Sequence, residues 1–133
     1  MSIHILNARK YRLEGIGPNW VYVGRKHSRF PHGSPLGNPY PLRDQEDVLE
    51  RARVMSAYKT WLRTQFLAGQ AVYTELLRLT ALYEQTGELK LVCWCAPHAC
   101  HAEVIAQAVR ELAEELPPEI TASPNHLARE HGV

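Results

Sequence analysis

Apolar and polar positions alternate at the start of the chain. Ile3, Ile5 and Asn7 fall on one side of an extended backbone and His4, Leu6 and Ala8 on the other, the period of a short strand within "SIHILNAR". After a polar turn containing "EGIGPN", the run "WVYVGR" is rich in aromatic and β-branched residues and ends at Gly24-Arg25, which predicts a second strand. The two are close enough in sequence for direct pairing to be expected. From Lys26 to Leu42 the pattern disappears: "KHSRFPHGSPLGNPYPL" holds four prolines and two glycines, too many for a helix or a central strand. A shaped loop of this length inside a small domain points to a binding loop or lid.

Helical spacing then takes over. With Asp44 as the expected cap, "DVLERARVMSAYKTWLRTQFLAG" places Val48, Leu49, Ala52, Met55, Trp61, Leu62 and Phe66 near one face, and Gly69 stops it. A second helix is expected over Gln70 to Gln85, built on Leu76, Leu77, Leu79, Leu82 and Tyr83 and closed by Gly87. "LKLVCWC" is an almost unbroken apolar run of strand length, the signature of a strand covered on both faces, and Pro97 ends it. Cys100 to Leu116 predicts a third helix, with Val104, Ile105, Ala108, Val109 and Leu112 inward and Pro117-Pro118 beyond it.

Strand, strand, helix, helix, strand, helix is the order of a small α/β domain of two or three layers. It is expected to be Rossmann-like, with a short, at least partly parallel sheet and about three helices. It should occupy residues 1–116, with a polar C-terminal tail over 117–133. Both the proline-rich loop and the "CAPHACH" turn follow strand ends, where open α/β sheets hold their ligands. Parallel neighbouring strands would make the two segments one crevice.

Composition narrows the function. A chain of 133 residues with 45% hydrophobic content suits one core, and 15 Lys and Arg against 14 Asp and Glu leave a formal charge of +1, so no overall pull toward nucleic acid or membrane follows. No segment approaches the ~20 apolar residues of a membrane span. A soluble, cytoplasmic protein is expected, with no membrane partner and an open oligomeric state. Three cysteines, with Cys93 and Cys95 close together on one strand, do not make a secreted disulfide framework, so reduced thiols are expected.

All three cysteines fall within "CWCAPHACH". On a strand Cys93 and Cys95 face the same side and Trp94 the other. Cys100 and His101 fall at the first turn of the third helix, where unpaired N–H groups and the positive dipole end favour an anion or a thiolate. Three readings stand side by side. In the first, Cys93, Cys95, Cys100 and His101 hold a structural zinc, although ligands adjacent in sequence seldom reach one ion. In the second, the corner works without metal, with Cys100 as polar anchor or thiolate and His101 as proton carrier beside a phosphate or carboxylate. In the third, Cys93 and Cys95 are small buried hydrophobes and His101 a local cap.

The pieces "VYVGR", "SPLGNPY" and "CWCAPHACHAEVI" together resemble a bacterial and phage family known as domain of unknown function 4326, over about Ile3 to Val109. In that family a strand ending in Gly-Arg leads to a Gly-Asn-Pro loop, and a Cys-Trp-Cys strand leads to a Cys-His helix start. These correspond here to Gly24-Arg25, Gly37-Asn38-Pro39, Cys93-Trp94-Cys95 and Cys100-His101, while "KHSRFPHG" departs from the family pattern. The resemblance implies a shared compact α/β domain and supplies no reaction. The Cys-His helix entry is also similar to a second uncharacterised bacterial family with Cys-His-Arg after a strand, where this chain has Ala102.

Arg25, at the end of the second strand, joins Lys26 and Arg29 in a basic cluster, and a guanidinium beside free helix N–H groups is a phosphate-binding pair. Asn38 either orients a ligand or fixes its own turn. His27 and His32 read as solvent-facing, and Trp20, Tyr22 and Tyr40 as core rings or base-stacking platforms. The leading expectation is a domain that binds a small phosphate-bearing, nucleotide-like ligand, with chemistry on that ligand left open. Arg25, Ser34, Gly37, Asn38 and Cys95 are the binding residues, Cys100 and His101 the catalytic pair. The alternatives are a nucleic-acid accessory module using Arg9, Lys10, Arg12, Arg25, Lys26 and Arg29, and the zinc domain, whose metal is the one cofactor in view.

Overall fold

The structure, a computed structural model, describes residues 1–10, 17–40, 43–44, 46–94 and 100–115. Three strands, β1 (Ser2–Asn7), β2 (Trp20–Tyr22) and β3 (Glu88–Cys93), form a parallel sheet in the order β1-β3-β2. Register runs from Ser2 opposite Glu88 to Asn7 opposite Cys93 on one side, and from Trp20 opposite Lys90 to Tyr22 opposite Val92 on the other. The expected direct pairing of the first two strands is therefore replaced by insertion of β3 between them. The physical reason lies in β3 itself: Leu89, Leu91, Val92 and Cys93 are all buried, and the most apolar strand gains most from a neighbour on each side.

Three helices, α1 (Val48–Leu67), α2 (Ala71–Thr86) and α3 (His101–Glu115), complete the α/β domain. The pleat sends Val21, Val23, Leu89, Leu91 and Cys93 to one face. There they join Tyr58 and Leu62 of α1, Leu76 and Leu79 of α2, and Ile105 and Val109 of α3 in one core. The opposite face has no α-helix among the described residues. A small cluster of Ala8, Phe30 and Val92, flanked by Trp20, Tyr22 and Trp94, covers part of it. The cover on both faces expected from the apolar run of β3 is supplied by helices on one side and by the folded-back loop on the other.

The N-cap of α1 is Asp47, not Asp44. Its carboxylate accepts the Glu50 N–H at 2.9 Å, whereas Asp44 accepts from Glu46 N–H in the turn before. The inward face differs as well: Val48, Leu49 and Ala52, expected on the apolar side, are exposed, and Tyr58 is fully buried. The Tyr58 hydroxyl donates to the Leu36 carbonyl at 2.6 Å, and its ring lies 5.1 Å from the His101 ring, edge to face. One side chain of α1 thereby holds the proline-rich loop and touches the start of α3. Among the described residues no helix is long and apolar enough to cross a membrane. The expected tail at 117–133, together with Arg12, Cys95 and Pro97, lies outside the described residues.

Tyr58→Phe keeps the ring and strands the buried Leu36 carbonyl. It should cost about 1–3 kcal/mol, read as a lower urea midpoint at unchanged m.

Candidate functional site

At the carboxyl end of the sheet β2 runs on into Val23, whose N–H still donates to Val92 O at 3.0 Å. The chain then leaves at Gly24-Arg25 and doubles back, because Ser34 N–H donates to Gly24 O at 2.9 Å. Two glycines make the return possible. Gly33 has φ 61°, and a Cβ there would lie 2.8 Å from Lys26 N; a Cβ on Gly37 would lie 3.1 Å from Arg25 N, Arg25 Cγ and Gly24 O. The Gly-Asn-Pro segment therefore rests directly against Arg25.

The loop satisfies its own backbone. Ser34 Oγ accepts from Leu36 N–H at 3.0 Å, Ser34 O accepts from Gly37 N–H at 3.0 Å, and Asn38 Oδ1 accepts from Tyr40 N–H at 2.9 Å. Of the two roles open to Asn38, its carbonyl takes the turn-fixing one, which leaves Nδ2 for a ligand.

α3 begins beside this loop. His101 Nε2 lies 2.7 Å from Val23 O. A carbonyl only accepts, so Nε2 carries the hydrogen, and in the neutral ring Nδ1 is the acceptor. The ring is 9% exposed. Burial pushes its pKa below the ordinary imidazole value; the bond to Val23 opposes that shift and the nearby Arg25 charge adds to it. Arg25 itself is exposed. Within the first turn Glu103 N–H donates to Cys100 O at 3.0 Å, and the His101 and Ala102 N–H groups have no acceptor among the described residues.

The expected binding residues Arg25, Ser34, Gly37 and Asn38 thus share one loop at the carboxyl end of the sheet, and His101 is bonded to the strand that leads into it. Cys100 stands one residue before α3 and is buried, with its Sγ 3.3 Å from that of Cys93. Of the four expected zinc ligands, Cys95 lies outside the described residues, and His101 Nε2 is engaged by a carbonyl. Among the described residues no group of three or more metal-ligating side chains comes together. Among the described side chains the zinc alternative keeps only the Cys93–Cys100 pair in contact.

On the other face of the sheet Tyr22 stacks on Phe30 at 3.8 Å, donates to Arg25 O at 2.6 Å and accepts from Trp94 Nε1 at 2.8 Å. Burial, the largest influence, raises the Tyr22 pKa. Tyr22 is thereby committed to structure, and Tyr40 is the more exposed of the expected stacking rings. Arg29, expected as a loop cation, donates to Ala8 O at 3.1 Å and lies over the Phe30 and Trp94 rings. His27 is exposed, as expected, yet lies 4.4 Å from the Trp94 ring. Sequence reasoning missed Tyr58 and Trp94 as positioning groups. The spacing of Tyr58 with Met55, Leu62 and Phe66 was the available signal for the first.

A family model described as "Domain of unknown function (DUF4326)" matches residues 6–111. The chain belongs to the DUF4326 family. No curated protein and no solved structure gives a significant match. The DUF4326 match spans both the loop after β2 and the start of α3.

His101 gives this domain a signed pH response. The unfolded imidazole takes up a proton near pH ~6.5, while the folded ring stays neutral to lower pH. Its stabilising contribution is full above that value and is lost as pH falls toward the folded pKa. His101→Gln should therefore lower Tm at pH 8 and flatten its decline between about pH 7 and 5 relative to wild type, measured by calorimetry.

Proposed function

We propose that this DUF4326 domain binds a small phosphate-bearing ligand of nucleotide type, in the crevice between the Gly-Asn-Pro loop and the start of α3. The observation that carries the reading is the 2.7 Å bond from His101 to Val23 O, which joins the helix start to the strand that delivers Arg25. Phosphate oxygens are met by the Arg25 guanidinium and by the His101 and Ala102 N–H groups, which have no acceptor among the described residues. Asn38 Nδ2 and the Ser34 hydroxyl meet the rest of the ligand. Cys100 lines the base of the helix start, and His101, bonded through Nε2, acts as proton carrier through Nδ1 by accepting from a ligand hydroxyl or amino group. A Rossmann-like description rests on the parallel strands and on a crevice at their carboxyl ends. Cys93 and Cys100 as thiols, with no disulfide between them, suit a cytoplasmic, reducing compartment.

A second reading, nucleic-acid binding, is favoured by Arg9 and Lys10 after β1 and Arg25 and Lys26 after β2, all exposed at the same end of the sheet. The two readings differ in salt response: affinity for single or double strands should fall steeply with salt under the second.

Thermal-shift titration with mono- and dinucleotides checks the first. At least one should raise Tm, and Arg25→Ala should weaken it about ten- to a hundred-fold while Arg53→Ala, on exposed α1 surface, leaves it intact. No shift across the panel, or equal shifts in wild type, Arg25→Ala and His101→Gln, sinks the reading.

A further inference from the structure

A groove of about 490 Å³ runs between α1 and α3 and shares no lining residue with the crevice. Its floor is apolar: Leu62, Phe66, Val104, Ala108 and Leu112. Its walls are charged with opposite sign. Lys59 and Arg63 stand four residues apart on α1, while Glu103, Gln107 and Glu111 repeat at the same spacing along α3, so each set forms one stripe. All five polar side chains are exposed, and among the described residues none of the four charges makes an ion pair. Leu67, also in the lining, is 72% exposed. Tyr73, exposed at the start of α2, extends the apolar surface through its 5.0 Å contact with Phe66.

We propose that this groove is the interface of a homodimer, with a second copy of the chain as its occupant. The argument is symmetry. A two-fold axis through the middle of the groove carries the α1 wall of one copy over the α3 wall of the other. Lys59 and Arg63 then meet the partner's Glu103 and Glu111, and the same pairing repeats across the axis. A groove with two walls of like sign would repel its own copy; this one is complementary to itself. The apolar floor and Leu67 supply the contact that the charges orient, and a chain of formal charge +1 raises little long-range repulsion between copies.

Sedimentation of the purified full chain over about 1 to 100 μM tests the proposal. Wild type should reach twice its 15.1 kDa mass, with about tenfold weaker association at high salt than at low. Lys59→Glu/Arg63→Glu makes both walls acidic and Glu103→Lys/Glu111→Lys makes both basic. Each variant should be monomeric alone, and an equimolar mixture should dimerise. Circular dichroism verifies folding; if a charge variant does not fold, Leu67→Ser at its exposed position should weaken the dimer instead. A wild-type chain still monomeric at the top of the range overturns the proposal, and the groove then belongs to some other partner. Variants that dimerise alone, a mixture that stays monomeric, or an unweakened Leu67→Ser dimer overturn it equally.

Discussion

The hydrogen bond from His101 Nε2 to Val23 O joins two segments that lie far apart in the chain and adjacent in the sheet. Val23 directly follows β2 and still bonds to β3, and His101 is the first residue of α3. With that bond made, the loop after β2, which carries Arg25, and the start of α3 are held next to each other. Without it, a short edge strand and a helix start would each be anchored only by its own element. The imidazole also buries a polar ring in the core, and the carbonyl satisfies the nitrogen that would otherwise be stranded there.

The second constraint is the unequal cover of the sheet. Three helices fill one face, and the other is closed by a loop folding back over it. The proline-rich segment therefore has two jobs at once. Its Phe30 and Arg29 finish the packing of the open face against Tyr22 and Trp94, and its Ser34 to Asn38 segment forms the crevice wall. The loop's internal turns explain how both are held: with its N–H groups bonded locally, the segment has a shape of its own before any ligand arrives, and little ordering entropy is left for binding to overcome.

Much of this was legible in the chain. Alternation in "SIHILN", the apolar run before Cys93 and the helical spacing of Leu76, Leu79 and Tyr83 each describe burial on a periodic element, which residue type records directly. Gly37 beside Asn38 and Pro39 and the Cys100-His101 pair marked the two walls, because turn and helix-start chemistry is local. What the chain hid was long-range or ambiguous in type. The placing of β3 between β1 and β2 depends on which pairing buries more, not on neighbourhood in sequence. Asp44 and Asp47 are equally good caps by type, and only the path of the chain chooses Asp47. Tyr58 looks amphipathic in sequence, and its partner is a backbone carbonyl, which no residue type announces; the same holds for Val23 O and His101.

The two anchors of the crevice respond differently to acid. Burial raises the Tyr58 phenol above its usual range, so its bond to Leu36 O is indifferent to pH throughout the physiological span. His101 carries a lowered pKa and gains a charge in acid. Acid therefore places a buried charge at the start of α3, where Nε2–H still holds Val23 O, and leaves the bond between Tyr58 and the loop unchanged.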